Sequence, residues 1–547
     1  MGLDLRIGDI EEAKDELAHL VEETEVVGTT NDNSNKDYTI IQKEMPVKTV
    51  VHAEYGRDLS GMTKSSELIE EMLNSLCKVD LVETLTDKIG DDLSKYKVKV
   101  TDENGVVEKV VNPLKVPRTL YIVAIIEELK IAGDKHGWSM AQQDSMLYLF
   151  NGVYWVRMAD SEIKNFIAKA AVKMGYYAPA DAMTYGFEDA AFKQFMTSSY
   201  LPTPVSNTSV VLINLENGTY EVTEKGGRLR EHRKEDFITY CLPFAYDPTA
   251  TAPLFSKYLN RVLPDVSSQH VLQDFHGYIF TNNLKLEKAL LLHGGGRNGK
   301  SVQYEITSAL LGEHNVSTKS LGDLVNNDSG NDNRAKLKDK LVNYGSEISS
   351  GNMDVDMFKR LVSGEPVSAR EKYKTSFDLR NNCKFIFNAN KLPSNIEHTE
   401  AYFRRFLIIP YDQTISDSEK DPELHTKIIN NELAGVFNWA IEGLSRLLVN
   451  KKFSECVASK DALNLYKKES NSVAMMVEDE GFIDGRSADK DYCVPTASLY
   501  SIYRGYCVES GLRPLSKNNF SKELKLLGFE TYRTGRERGF VIVREAE

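Results

Sequence analysis

The chain has 547 residues, 41% of them apolar and 27% charged, with 35 glycines and 16 prolines, which excludes collagen-like, disordered and disulfide-scaffold classes and leaves room for several domains. The formal net charge is −13, and residues 1–100 carry most of it, with 22 acidic against 12 basic side chains; this argues against a general nucleic-acid coat but not against a local basic surface. Six cysteines (Cys77, Cys241, Cys383, Cys456, Cys493 and Cys507) form no C-x-x-C pair, so neither a zinc ribbon nor a disulfide framework is expected.

From the start, MGLDLRIGDIEE lacks a basic n-region and an apolar h-region, and no later apolar run reaches the roughly 18 residues that span a bilayer. A cytoplasmic protein without membrane attachment is expected. Residues 9–23 place Ile10, Leu17, Leu20 and Val21 on a helical stripe, and 28–37 read as a linker. A second helix is predicted over 64–78, and 95–112 alternate around Asn104-Gly105, a hairpin signal. Residues 146–158 predict strand, Asn151-Gly152 turn and strand, followed by a helix from the N-cap Asp160 to Met174. A second hairpin is predicted over 210–222 around Asn217-Gly218. Both hairpins read as parts that pack against or position another domain.

The sharpest local signal is residues 288–312. An apolar strand, Ala289–Leu292, precedes Gly294-Gly295-Gly296-Arg297-Asn298-Gly299-Lys300-Ser301, and a helical run follows from Val302 to Leu311. This is G-x-x-x-x-G-K-S with a strand before it and a helix after it, the context in which that motif binds nucleotide phosphates. Glycines let backbone N–H groups turn inward, the helix N-terminus adds positive partial charge, Lys300 neutralises β- and γ-oxygens, and Ser301 ligates Mg²⁺.

Hydrolysis also needs an acidic residue on a neighbouring strand. The run 340–350 supplies a strand ending in Glu347, the expected water-activating base and metal ligand; Ser346 stands where a paired aspartate is usual, and Asp354 and Asp356 are weaker candidates. A further strand at 383–393 runs into Asn390, which could orient the attacking water, with Asn388 in reserve. Then Arg404 and Arg405 enter the strand Phe406–Ile409, where a guanidinium could reach a neighbouring subunit's nucleotide.

In this order the residues resemble the superfamily 3 helicases of DNA viruses, in the branch of poxvirus primase-helicases and phage and plasmid replication proteins, over roughly 145–547. The matching pieces are GGGRNGKS, the Glu347 strand, LVSGEPVSAREKYKTSF (361–377), FNANKLP and FRRFLIIPYD. The resemblance implies an α/β fold: a P-loop AAA+-like ATPase core at 261–455, an α+β domain at 131–260 ahead of it, an acidic region of unknown role at 1–130, and a helical winged-helix-like domain at 456–547. It implies ATP and Mg²⁺ as cofactors, assembly as a homo-oligomeric ring, expected as a hexamer, and single-stranded and forked DNA as partners, with a separate primase or polymerase as a further one. It also implies a channel hairpin, here carrying Arg370, Lys372, Tyr373 and Lys374, which suit a single strand through cations and a stacking ring.

Near the C-terminus, helices at 497–509 and 517–527 and a two-stranded wing around 533–539 are predicted. Eight basic residues between Arg513 and Arg544, among them Lys517, Lys522, Arg533 and Arg536, face three glutamates, a duplex-binding footprint. Residues 1–140 show no D-x-D pair with a downstream histidine, so no primase activity is assigned. The expected function is an ATP-driven ring helicase replicating a phage, plasmid or mobile element in a bacterial host. The alternative is an ATP-switched replication initiator with slow hydrolysis and no processive unwinding. A small-molecule kinase is disfavoured, because the Asn390 and Arg404–Arg405 strands have no acceptor-site role.

Overall fold

The computed structural model describes residues 65–101, 107–136, 139–143, 146–198, 210–326, 330–345, 348, 354–372, 375–380, 382–393, 399–487, 493–512, 514–533 and 537–544. The helix predicted over 9–23, the linker at 28–37 and the Asn104-Gly105 turn lie outside these residues.

Helices α1 (Ser65–Ser75) and α2 (Leu81–Ile89) lead to the antiparallel pair β1 (Lys97–Thr101) and β2 (Val107–Val111). Helix α3 (Arg118–Lys135) is apolar on several sides, and buries Tyr121, Ile122, Ile125, Ile126 and Leu129. Strands β3 (Ser139–Gln143), β4 (Met146–Phe150) and β5 (Trp155–Met158) form an antiparallel sheet. Asn151 makes its turn: Oδ1 accepts from the backbone N of Val153 and Tyr154, at 3.0 and 2.8 Å, and Gly152 takes φ +95°. Helices α4 (Asp160–Lys173) and α5 (Tyr185–Ser198) follow. Ala159, not Asp160, is the N-cap, with Glu162 accepting from its backbone N at 3.0 Å. One hydrophobic cluster joins Leu68 and Met72 of α1, α3, and Phe166, Phe187 and Phe195 of α4 and α5. Residues 65–130 therefore share a core with 146–198, a partition that differs from a boundary at 130, because α3 has too little polar surface to stand as a linker.

Strands β6 (Val211–Leu215), β7 (Gly218–Thr223) and β8 (Gly226–Arg230) form a meander whose Ile213, Leu215 and Val222 belong to a different cluster, shared with helices α6 (Pro253–Val262) and α7 (Val266–Ile279). That cluster covers one face of a five-stranded parallel sheet. Its strands are β9 (Ala289–His293), β10 (Val316–Ser317), β11 (Val342–Gly345), β14 (Lys384–Ala389) and β15 (Phe406–Pro410). They lie side by side in the order β10-β11-β14-β9-β15. Alternation splits β9 between two cores: Leu290 and Leu292 face the first cluster, while Ala289 and Leu291 face a second one with Phe385, Phe387 and Ile408. Both faces are covered, which is why Ala289–Leu292 of β9 reads as an unbroken apolar run.

Helix α8 (Lys300–Leu311) follows β9, helix α9 (Gly330–Ala335) precedes β11, and α10 (Val355–Ser363) leads into the antiparallel hairpin β12 (Pro366–Arg370) and β13 (Ser376–Arg380). The long α11 (Leu424–Asn450) crosses α7 closely: a Cβ on Gly443 would lie 2.3 Å from the carbonyl oxygen of Gln273, and one on Gly277 would lie 2.4 Å from the backbone N of Leu444. Glu432 of α11 is buried, and its carboxylate accepts from the backbone N of Leu254 and Phe255, both at 2.9 Å, at the start of α6.

Helix α12 (Val457–Glu469) packs on β15 through Tyr466, whose hydroxyl meets Tyr402 Oη at 3.1 Å, so it belongs by packing with the parallel sheet and not with the C-terminal elements. Those elements are α13 (Ser472–Asp479), β16 (Phe482–Asp484), β17 (Cys493–Pro495), α14 (Thr496–Glu509), α15 (Lys517–Leu526), β18 (Thr531–Arg533) and β19 (Arg538–Arg544), around Leu499, Tyr503, Phe520 and Phe540. The molecule is thus a mixed α/β fold with a parallel central sheet. No helix among the described residues is long and apolar enough to cross a membrane.

Replacing Glu432 with alanine leaves two helix-end N–H groups of α6 without their acceptor. The variant should unfold about 1–3 kcal/mol more easily in urea, with an unchanged slope.

Candidate functional site

The turn out of β9 is built from backbone conformations that side chains disfavour. Gly296 and Gly299 take φ +109° and +88°, and Arg297 between them takes φ +49°. A Cβ on Gly294 would sit 2.5 Å from the carbonyl oxygen of Tyr411, and one on Gly299 would sit 2.8 Å from Val262 Cγ1. Successive left-handed residues turn backbone N–H groups to one side. Gly299 caps α8 without any side-chain cap bond, so the first N–H groups of the helix have no acceptor from its capping residue.

Lys300 lies at this helix start and is buried, only 6% exposed. Its Nζ donates to the carbonyl oxygen of Gly294 at 2.7 Å and to Asn298 Oδ1 at 3.0 Å. Burial holds its ammonium below the usual lysine range. Asn298, also buried, donates from Nδ2 to the Tyr411 carbonyl at 3.0 Å. Ser301 is exposed on the first turn. Inward-turned N–H groups, an uncapped helix start and a buried amine make a setting for an anionic, phosphate-like group.

Several positioning residues carry no sequence signal. Tyr258 of α6 donates to the carbonyl oxygen of Gly299 at 2.9 Å, and Tyr411 donates from its backbone N to His293 O at 2.6 Å. Ile415 N donates to Arg297 O at 2.8 Å. Their roles run through carbonyls and packing, which no local pattern encodes.

The strands beside β9 are β14 and β15, and β11 lies one strand further out, beyond β14. The expectation of an acidic residue on an adjacent strand is thereby corrected: neither neighbour carries one, and β14 carries Asn388 and ends just before Asn390. Gly294 N donates to Ala389 O at 3.0 Å, which puts the exposed Asn390 next to the start of the loop. Asn388 lies inside the strand and accepts from Tyr344 Oη at 3.3 Å. Glu347 and Ser346, two and one residues past Gly345, lie outside the described residues. Asp354 caps α10, with its carboxylate accepting from Met357 N at 2.9 Å, and Asp356 pairs with Lys359 at 3.2 Å, so both have local roles.

Arg404 and Arg405 stand at the start of β15, the end of the sheet opposite the loop, about 16 Å away along a five-residue strand at ~3.3 Å per residue. They differ. Arg405 is buried, donates to Ala401 O and to Ser363 Oγ at 2.9 Å, and pairs with Glu287 at 3.3 Å. A guanidinium held this way within its own chain does not reach another, so a contact with a neighbouring subunit's nucleotide does not fit Arg405. Arg404 has a side chain 59% exposed and a looser 3.7 Å approach to Glu287.

The segment 366–380 forms the antiparallel hairpin β12–β13. Arg370, at the end of β12, pairs with Asp332 at 3.3 Å, and Lys372 follows; Tyr373 and Lys374 lie outside the described residues. In the C-terminal elements, Lys517 and Lys522 are exposed on α15, and Arg533 ends β18 opposite Arg538 of β19; Arg536 lies outside the described residues. Among the described residues there is no cluster of side chains that could by itself hold a metal ion.

Comparison with known proteins adds to this geometry. Residues 133–264 match the family described as D5 N terminal like, residues 468–542 that described as Poxvirus D5 protein-like, and residues 292–405 a family of unknown function, DUF5906. The chain is 23% identical over 276 residues to "Putative helicase L207/L206" of Acanthamoeba polyphaga mimivirus, covering 49% of this chain and 28% of that protein. It is 26% identical over 313 residues to "Putative helicase 184R" of Invertebrate iridescent virus 6, covering 49% and 32%. The chain thus spans a third or less of the length of these relatives. An apo structure of the C-terminal region of NrS-1 is similar at 14% identity and a TM-score of 0.43, covering 77% of this chain and 99% of that one.

Asn298→Ala removes the tie between the loop and Tyr411 together with one of the acceptors of Lys300. Amide hydrogen exchange over residues 294–299 should quicken about tenfold, the equivalent of one hydrogen bond of ~1.4 kcal/mol, with exchange in α11 unchanged.

Proposed function

We propose that this chain, which belongs to the phage- and poxvirus-type superfamily 3 helicase and primase-helicase family by its D5 matches and its viral relatives, is an ATP-driven, ring-forming DNA helicase of replication. The observation that carries the reading is the loop at the end of β9, where left-handed glycines, the start of α8 and the buried Lys300 converge. The residues present fit a nucleoside triphosphate. The loop Gly294–Gly299 would wrap the phosphates, Lys300 would leave its loop acceptors to neutralise the β- and γ-oxygens, and the Ser301 hydroxyl would hold Mg²⁺. MgATP, when bound, supplies the anhydride whose cleavage drives the motor. Glu347 takes the proton of the attacking water and contributes to the metal shell, and Asn390 beside the loop orients that water.

Arg404, at the opposite end of its own sheet, serves a neighbouring copy, which makes the assembled ring the unit of catalysis. Arg370, Lys372, Tyr373 and Lys374 on the β12–β13 hairpin hold one DNA strand, and Lys517, Lys522, Arg533 and Arg536 hold duplex by its phosphates. The core is read as a P-loop AAA+-like ATPase and the C-terminal elements as a winged-helix-like domain. A second reading, an ATP-switched initiator, is favoured by Ser346 in place of an acidic partner to Glu347. It differs by slow turnover that ignores DNA.

Single-stranded DNA should raise ATP turnover by the full chain, and Lys300→Ala should lower that turnover about 100-fold or more; turnover surviving in the variant rejects the site. Forked-duplex unwinding that is absent despite active turnover would select the switch. Separately, Lys522→Ala with Arg533→Ala should reduce the slope of log affinity for duplex against log salt by about two, at roughly 0.9 for each phosphate that is no longer neutralised.

A further inference from the structure

The three-stranded sheet β3–β5 reaches the parallel-sheet body through two adjacent side chains. Tyr148 of β4 and Arg157 of β5 are direct cross-strand partners, so their Cα atoms are only about 5 Å apart. Tyr148 Oη donates to the Asp339 carboxylate at 3.0 Å, on the segment that enters β11. Arg157 forms an ion pair with Glu371, the first residue beyond β12. Phe377 of β13 packs on Met146, Tyr148, Phe150 and Trp155, and also against the second core beneath the parallel sheet.

The hairpin therefore has two attachments. Strand β12 is tied to its own body, where Arg334 Nε donates to Ser368 O at 2.8 Å and Arg370, at the turn end, pairs with Asp332. Its far end is tied to β5. Asp339 is itself held in an unusual backbone, φ +60°, and burial raises its carboxyl above the ordinary range. A residue with that conformation in a connection between elements is kept there by its contacts, and Tyr148 is one of them.

We propose that Arg157, with Tyr148 beside it, is a positioning residue that sets the end of the β12–β13 hairpin against the entry to β11, and so couples a DNA strand at the hairpin to turnover at the nucleotide loop. The inference rests on the helicase reading. Three observations carry it: one rigid cross-strand pair touches both elements; Glu371 lies between Arg370 and Lys372, where an unpaired carboxylate would repel phosphate; and β11 is the strand whose end leads to Glu347. Moving the hairpin relative to β5 either breaks the Arg157–Glu371 pair and uncouples the two or carries the sheet along, and in the second case Asp339 feels it through Tyr148.

The test uses the full chain and measures ATP turnover without DNA and at saturating single-stranded oligonucleotide. Arg157→Glu should keep basal turnover, because it touches nothing in the loop, yet lose about tenfold of the DNA stimulation, a coupling of ordinary size. The charge swap Arg157→Glu with Glu371→Arg should restore most of it. Glu371→Gln, which removes the charge without changing the size of the side chain, should lower stimulation as well, and covers the case in which Arg157→Glu folds poorly. Stimulation unchanged in Arg157→Glu or Glu371→Gln overturns the proposal, as does a swap that restores nothing. A wild-type chain that binds ATP but shows no stimulation at all overturns the helicase reading, and this proposal with it.

Discussion

A strand buried on both faces leaves no room for its chain to exit gradually. At the end of β9 the backbone turns within one residue. Gly294 donates to Ala389, its neighbour Tyr411 presses a carbonyl where a Cβ would stand, and Asn298 closes the gap by donating to that same carbonyl. The candidate phosphate loop is placed by this turn. It sets the direction of α8, and with it where the helix presents its unsatisfied N–H groups and where Lys300 enters the loop. It also explains why three parts distant in sequence meet there: α6 supplies Tyr258 from before the sheet, β14 supplies the edge bearing Asn390, and β15 supplies Tyr411.

The distribution of cations about the sheet has a simple electrostatic logic. At the loop end stands a buried ammonium whose hydrogens are satisfied by neutral acceptors, which are easily exchanged for an anion. At the other end stand two adjacent guanidiniums that divide their work. Arg405 spends its donors on Ser363, Ala401 and Glu287 and so fixes the entry to β15, while Arg404 remains largely in solvent. Neighbouring identical side chains are not interchangeable once one of them is buried, because burial demands that the charge be compensated within reach.

Much of the central sheet was legible. GGGRNGKS between an apolar strand and a helix could be read because the chemistry is local: the glycines, the lysine and the helix start adjoin in sequence. The helices of the C-terminal elements were legible through helical spacing, whereas the hairpin at 366–380 was expected only from the family resemblance. What was not legible is what packing decides. No pattern around Tyr258, Glu432 or Arg157 marks its partner, which lies 41, 177 and 214 residues away for the bonds to Gly299, Phe255 and Glu371. The paired arginines looked alike, and only the fold separates them. Strand order was hidden for the same reason: that β14 and not β11 lies beside β9 depends on crossovers. The apolar helix α3 draws residues 65–130 into one core with the hairpin that follows, although its acidic flanks had set that region apart.

The sheet order also says something about how the chain comes to be folded during synthesis. Strand β9 has for its neighbours β14 and β15, whose registers with it begin at Phe385 and Phe406. About a hundred residues must therefore leave the ribosome after Ala289–His293 before the first of its two partners exists, and the second comes later still. At ~5–20 residues per second this apolar, doubly covered strand stays unpaired for some 5–20 seconds. Its closure must await loops whose entropy grows only slowly with length but whose pairings are all non-local. The hairpin β12–β13 and the helical body ahead of the sheet can form within that interval. In a nascent chain the glycine turn that organises the mature core thus takes shape well after its own residues are made, and the apolar ALLL run that precedes it is the segment a chaperone would be best placed to hold.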